Sequence, residues 1–119
     1  QGGTITGIIP ENWRESQWVN PCNTQNIFVK NLAERKQLMS QMADVFVVLP
    51  GGIGTLDEAF SLMAMHQIGE TTKKVYFINT NSFFAGIKDQ LNHCLQENCM
   101  TMNSVSAYEF VDDIKQLPL

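Results

Sequence analysis

The stretch Leu49-Pro50-Gly51-Gly52-Ile53-Gly54-Thr55-Leu56-Asp57-Glu58 leaves little freedom in local structure. It follows the apolar run Val45-Phe46-Val47-Val48-Leu49, which reads as a buried parallel strand. It precedes Leu56, Ala59, Phe60 and Met63, an apolar set at helical spacing. The local expectation is a strand, a glycine turn and a helix opening at Thr55. Pro50 ends the strand because it has no ladder donor, and the three glycines permit the positive φ angles of a tight turn. With no side chains in the way, backbone N–H groups close around an anion, and the helix dipole adds positive potential there. Phosphate is the guest that such a turn accommodates.

On either side of this turn, strand and helix patterns alternate. Thr4-Ile5-Thr6-Gly7-Ile8-Ile9 reads as a strand ended by Pro10, and Ile27-Phe28-Val29 as a second short strand. Residues 11–24, with Trp13 and Trp18, lack periodicity and read as a long loop of the kind used as a lid or binding segment. Its two tryptophans either anchor the loop on the core or cover a base. Asn31-Leu32-Ala33-Glu34 fits a capping box, opening a helix to about Ala43 with Leu38, Met39 and Met42 on one face. The helix from Thr55 runs to about Ile68 with Gly69 as its C-cap. Then come a strand at 74–79, a helix at 83–97, a short strand at 105–108 and a closing helix at 112–117. Such alternation predicts an α/β fold: a Rossmann-like, three-layer parallel sheet with helices on both faces, as a single domain over 1–119.

Composition narrows the function classes. A length of 119 residues with 44% apolar and 17% charged side chains is that of a compact domain. A net charge of −4 argues against a nucleic-acid binder, and no apolar run is long enough to span a bilayer. Cys22, Cys94 and Cys99 lack zinc-ligand spacing, so neither a metal nor another cofactor is expected, and a reducing cytoplasm is the expected location.

Pro50-Gly51-Gly52-x-Gly54-Thr55-x-x-Glu58 matches the PGGxGTxxE signature of the Lonely Guy (LOG) family, long labelled as lysine decarboxylases. Glu34-Arg35-Lys36 resembles that family's second signature, an ERK-type triplet. The resemblance covers almost all of the chain and corresponds to the C-terminal two thirds of the family fold. The family's opening strands and glycine-rich turn are absent, so the expectation is a fragment or a truncated gene that needs a partner chain. A Met-His pair common before the triplet is replaced by Leu32-Ala33.

The resemblance implies a phosphoribohydrolase that cuts the N-glycosidic bond of an AMP-like nucleoside 5′-monophosphate, releasing free base and ribose 5-phosphate. In the cytokinin-activating members the base is an N6-substituted adenine. It implies catalytic roles for Arg35 and Glu58, phosphate or substrate binding by Gly51, Gly52, Gly54, Thr55 and Lys36, and a homodimer or higher assembly. A carboxylate beneath the ribose suits this chemistry, because bond cleavage builds positive charge on the ring. Other readings stand beside this one. Thr55-x-x-Glu58 is also a capping box, Arg35 and Lys36 alone are ordinary solvated helix residues, and Asp57 favours the helix dipole. His66 reads as a half-buried polar residue and His93 as solvent-facing. The same scaffold also serves non-catalytic nucleotide or molybdenum-cofactor carriers, and a decarboxylase would need pyridoxal phosphate and a Schiff-base lysine.

Overall fold

In the computed structural model, which describes residues 2–119, the chain divides after Ala43. The first unit is built on two parallel strands, β1 (Thr6–Pro10) and β2 (Gln25–Val29), in the register Thr6↔Gln25 to Pro10↔Val29. Strand β1 begins two residues later than its β-branched run, and Pro10 is its last residue rather than the one beyond it. A proline is tolerated there because the terminal position needs no further ladder donor. Helix α1 (Leu32–Met42) follows β2. Asn31 caps it by accepting the Glu34 N–H (2.9 Å), while Glu34 reaches back to the Lys30 N–H (2.6 Å), one residue before the cap. The expected apolar face is only partly realised: Leu38 and Met39 are half-buried, Met42 in the last turn is exposed, and Ser40 is the buried residue of the helix.

The connection from β1 to β2 carries one short 3-10 turn, Glu11–Trp13. Arg14 ties it down. Its guanidinium donates a fork to Glu11 (2.6 and 2.9 Å) and lies 3.6 Å above the Phe28 ring. Anchoring therefore falls to Arg14 on Phe28, whereas Trp18 stays 74% exposed.

The second unit, Asp44–Leu119, is a three-stranded parallel sheet in the order β3-β4-β5. Its strands are Phe46–Val48, Val75–Ile78 and Tyr108–Val111. The expected single sheet is thus hydrogen-bonded as two, of two and three strands, and every pairing is parallel. The fully buried strand is β4, not β3. All four β4 residues are buried, while β3 alternates, with Phe46 and Val48 buried and Val47 exposed. A terminal strand needs only one apolar face; a central strand packed on both sides needs two. Phe77 meets Phe84 edge-on (5.2 Å) and stacks on Phe110 (4.8 Å), while Tyr76, Ile78 and Val111 cluster with Val45 and Leu117.

Helix α2 (Ile53–Gln67) joins β3 to β4 and ends on Gly69 at φ +79. Gly69 N–H bonds the His66 carbonyl and Glu70 N–H the Met65 carbonyl (2.9 Å), so Ile68 is the C-cap and Gly69 the left-handed residue beyond it. Helix α3 (Ala85–Gln96) buries Leu91 between half-buried Ile87 and Leu95. Asn98, at φ 58, closes it in the same way. The strand expected at 105–108 is displaced: Met102–Val105 is a short helix, α4, and β5 starts at Tyr108. The register decides this, since Val75↔Tyr108 through Ile78↔Val111 places four residues opposite β4. The closing helix is a single 3-10 turn, Ile114–Gln116, boxed by Asp113 and Gln116. Among the described residues no helix is long and apolar enough to cross a membrane.

Candidate functional site

Strand β3 delivers the chain to Pro50 at one end of the sheet, and α2 departs from there. The helix opens at Ile53, two residues earlier than the sequence pattern placed it, with Gly52 as N-cap in an extended conformation (φ −99, ψ −153). Thr55 is therefore the third helical residue and not a cap, which removes the capping-box role for Thr55 and Glu58. Asp57 is likewise carried beyond the first turn. The first intrahelical bond runs from Leu56 N–H to the Gly52 carbonyl (3.1 Å). The N–H groups of Ile53, Gly54 and Thr55 precede it, and no side chain at the cap accepts them. Three donors at the positive end of a fifteen-residue helix are an anion cradle in form.

The glycines are needed for a different reason from the one the turn pattern implied. None of Gly51, Gly52 and Gly54 takes a left-handed φ. At Gly51 the constraint is close approach: a Cβ there would land on the Thr55 hydroxyl and 2.9 Å from the Thr55 Cβ. The Thr55 side chain thus folds back under the loop. At Gly52 and Gly54 a Cβ would meet nothing within 4 Å. The protein itself does not require those two to be glycine, and their bareness keeps the approach to the backbone donors open.

Glu58 lies one turn beyond Thr55, so the two share a side of α2, and the carboxylate is half-buried beside buried Ala59 and Leu62. Gly51, Gly52, Gly54, Thr55 and Glu58 are thereby brought onto one strand–loop–helix corner. His66 is half-buried near the C-terminus of the same helix, and His93 is exposed, 3.7 Å from Glu97.

Arg35 and Lys36 stand on α1 in the first unit, both half-buried rather than solvated. Arg35 Nε donates to the Ile8 carbonyl (2.9 Å), which fixes the guanidinium against β1. Beside it opens a cavity of about 280 Å³ lined among others by Gly7, Trp18, Asn20, Asn23 and Met39. Sequence reasoning gave Gly7, Asn20 and Asn23 no role. The available signal was Gly7, a bare residue inside a β-branched strand, which marks a close approach by another group. That group is the Asn23 side chain, onto whose amide nitrogen a Cβ at Gly7 would fall.

The family model described as "Possible lysine decarboxylase" matches residues 1–118. The chain is similar to a cytokinin riboside 5′-monophosphate phosphoribohydrolase of Rhodococcoides fascians, 29% identical over 115 residues, covering 96% of this chain and 58% of that protein. A protein of the same name from Mycobacterium tuberculosis is 30% identical over 114 residues, covering 96% and 61%. One from Arabidopsis thaliana is 34% identical over 83 residues, covering 70% and 36%. The chain spans about 60% of the length of the first two relatives. The strand–glycine loop–helix corner, the parallel strand pairing and this match over nearly the whole sequence agree: the chain belongs to the Lonely Guy family, Rossmann-like α/β proteins.

Proposed function

We propose that the chain, with residues 1–119 working as one domain, is the larger part of a nucleoside 5′-monophosphate phosphoribohydrolase, active as a cytoplasmic homodimer or higher assembly. The observation that carries this reading is the opening of α2: three backbone donors with a side-chain-free cap, and a half-buried carboxylate one turn further on. The names of the relatives, all riboside 5′-monophosphate phosphoribohydrolases, support the same substrate class.

In this reading the N–H groups of the Gly51–Thr55 loop and the Thr55 hydroxyl hold the 5′-phosphate. The bond from C1′ to the base nitrogen breaks with its electron pair leaving on the base, and positive charge develops on the ribose. Glu58, as carboxylate, stabilises that charge and orients the water whose oxygen forms the new bond to C1′. The water's proton goes to the departing base, so atoms and charge balance. Arg35, held by Ile8, steadies the anionic substrate or the leaving base, and Lys36 adds positive charge. The finer assignment is a base of the N6-substituted adenine type.

The test is chromatographic release of free base from AMP and N6-substituted AMP. Glu58→Gln is expected to lower the rate about 100-fold or more while nucleotide still binds. No hydrolysis either by this chain or by the protein with upstream residues restored, with nucleotide still bound, would refute the enzyme and favour a carrier.

A further inference from the structure

We propose that Cys94 and Cys99 form a redox-sensitive dithiol at the end of α3, which a low-molecular-weight disulfide of the glutathione class oxidises to an intrachain bridge. This chemistry is independent of the nucleotide site and is carried by the way α3 ends. Asn98 takes a left-handed φ of 58, its N–H bonds the Leu95 carbonyl (3.1 Å), and the Cys99 N–H bonds the Cys94 carbonyl (2.8 Å). With Glu97 as C-cap, this pair of bonds is a Schellman motif. In that motif the third residue before the cap and the second after it bring their side chains together. Those two positions are Cys94 and Cys99.

The separation suits a disulfide. The 2.8 Å hydrogen bond, with the bonded atoms at either end of it, keeps the two Cα atoms within about 6.7 Å, and disulfides span roughly 4.4–6.8 Å. Neither thiol is held by a strong bond. Cys99 Sγ donates to the Glu97 carbonyl (3.8 Å), and Cys94 Sγ accepts from Gln90 Nε2 (3.7 Å). Sulfur hydrogen bonds of this kind are weak, so turning one thiol toward the other costs little. The backbone frame is already set in the reduced chain, and oxidation adds one covalent bond without rebuilding α3. Access differs between the two, since Cys99 is exposed and Cys94 half-buried.

Exposed Cys99 reacts first. Its thiolate attacks one sulfur of the small disulfide, forming a new S–S bond to Cys99 Sγ. The original S–S bond breaks with its electron pair on the departing small thiolate, which takes up the proton that Cys99 released. The Cys94 thiolate then attacks Cys99 Sγ and expels the second small thiol, which takes up the Cys94 proton. Two protein thiols are thereby oxidised, and one small disulfide is reduced to two thiols. A reducing glutathione pool runs the exchange backwards, so the bridge forms only under an oxidising load. Once formed, it ties the segment leading into α4 to the last turn of α3.

The experiment equilibrates the chain with oxidised and reduced glutathione at a series of ratios, quenches with iodoacetamide and maps the thiols by peptide mass spectrometry. A Cys94–Cys99 bridge is expected in the parent and, at the same ratio, in Cys22→Ser. Cys94→Ser should stop instead at a mixed disulfide on Cys99. Asn98→Gly keeps the left-handed residue and should bridge as the parent does. Asn98→Val resists that conformation and should lower the bridging equilibrium constant about tenfold. This contrast separates the folded motif from two thiols that are merely close in sequence. Phenylarsine oxide, which clasps two adjacent thiols, reads the reduced pair directly. It should bind the parent and Cys22→Ser alike, and Cys99→Ser about tenfold more weakly or worse. The proposal is overturned if the parent forms only mixed disulfides with glutathione, if either thiol pairs with Cys22 instead, or if the two Asn98 variants bridge equally. Equal arsenical binding by the parent and Cys99→Ser would overturn it as well.

Discussion

Replacing each glycine of the turn by alanine separates what the fold needs from what a ligand needs. At Gly51 the added methyl carbon would sit 2.9 Å from the Thr55 Cβ and closer still to its hydroxyl. Unstrained carbon pairs stay about 3.5–4.0 Å apart, so the loop and the first turn of α2 must separate by more than half an ångström. The obstacle includes the Thr55 Cβ, bonded directly to the backbone, and rotating the side chain does not relieve it. Overpacking of this kind costs about 1–3 kcal/mol. For a chain of this length, roughly 4 °C of melting temperature corresponds to each kcal/mol, so Gly51→Ala should lower the midpoint by about 4–12 °C. Gly54→Ala should do the opposite. It stands inside the first turn of α2 with open space where its Cβ would go, and alanine there gains up to about 1 kcal/mol of helix propensity. In the proposed phosphate site formed by the Ile53, Gly54 and Thr55 N–H groups, the added methyl group should weaken AMP or phosphate binding about tenfold or more. The assay is thermal unfolding, with urea unfolding and its slope m as a check on the denatured state, paired with phosphate titration. A Gly51→Ala chain as stable as the parent, or a Gly54→Ala chain that is less stable but binds phosphate normally, would refute the reasoning.

Other outcomes are expected elsewhere. Gly69 takes φ +79 at the close of α2, so Gly69→Ala should cost about 1 kcal/mol in urea unfolding, and Gly69→Asn less, because asparagine tolerates that region better. The hydrogen bond from Arg14 holds the Glu11 carboxyl below its usual titration range, and Arg14→Met should return it there in a carbon-detected NMR titration. Since the folded value is the lowered one, this pair's contribution is present at neutral pH. It fades as the pH falls through the Glu11 titration; a loss on raising the pH would contradict it.

Much of this protein is legible in one dimension. Asn31 and Glu34 announced the start of α1, Gly69 the end of α2, and the apolar run before Pro50 a strand, because caps and breakers act over three or four residues and need no distant partner. Family membership was legible for a similar reason: the glycine loop and the Glu34-Arg35-Lys36 triplet are local patterns. The tertiary structure decided what depends on a neighbour. It moved the last strand to Tyr108–Val111, because pairing with β4 and not local propensity sets that register. It made β4 the doubly buried strand, a matter of position in the sheet order. It showed that Gly51 is bare for the sake of Thr55 and Gly7 for the sake of Asn23, sixteen positions along the chain from Gly7. A sequence records that a side chain is missing; only the folded chain shows which atom occupies its place.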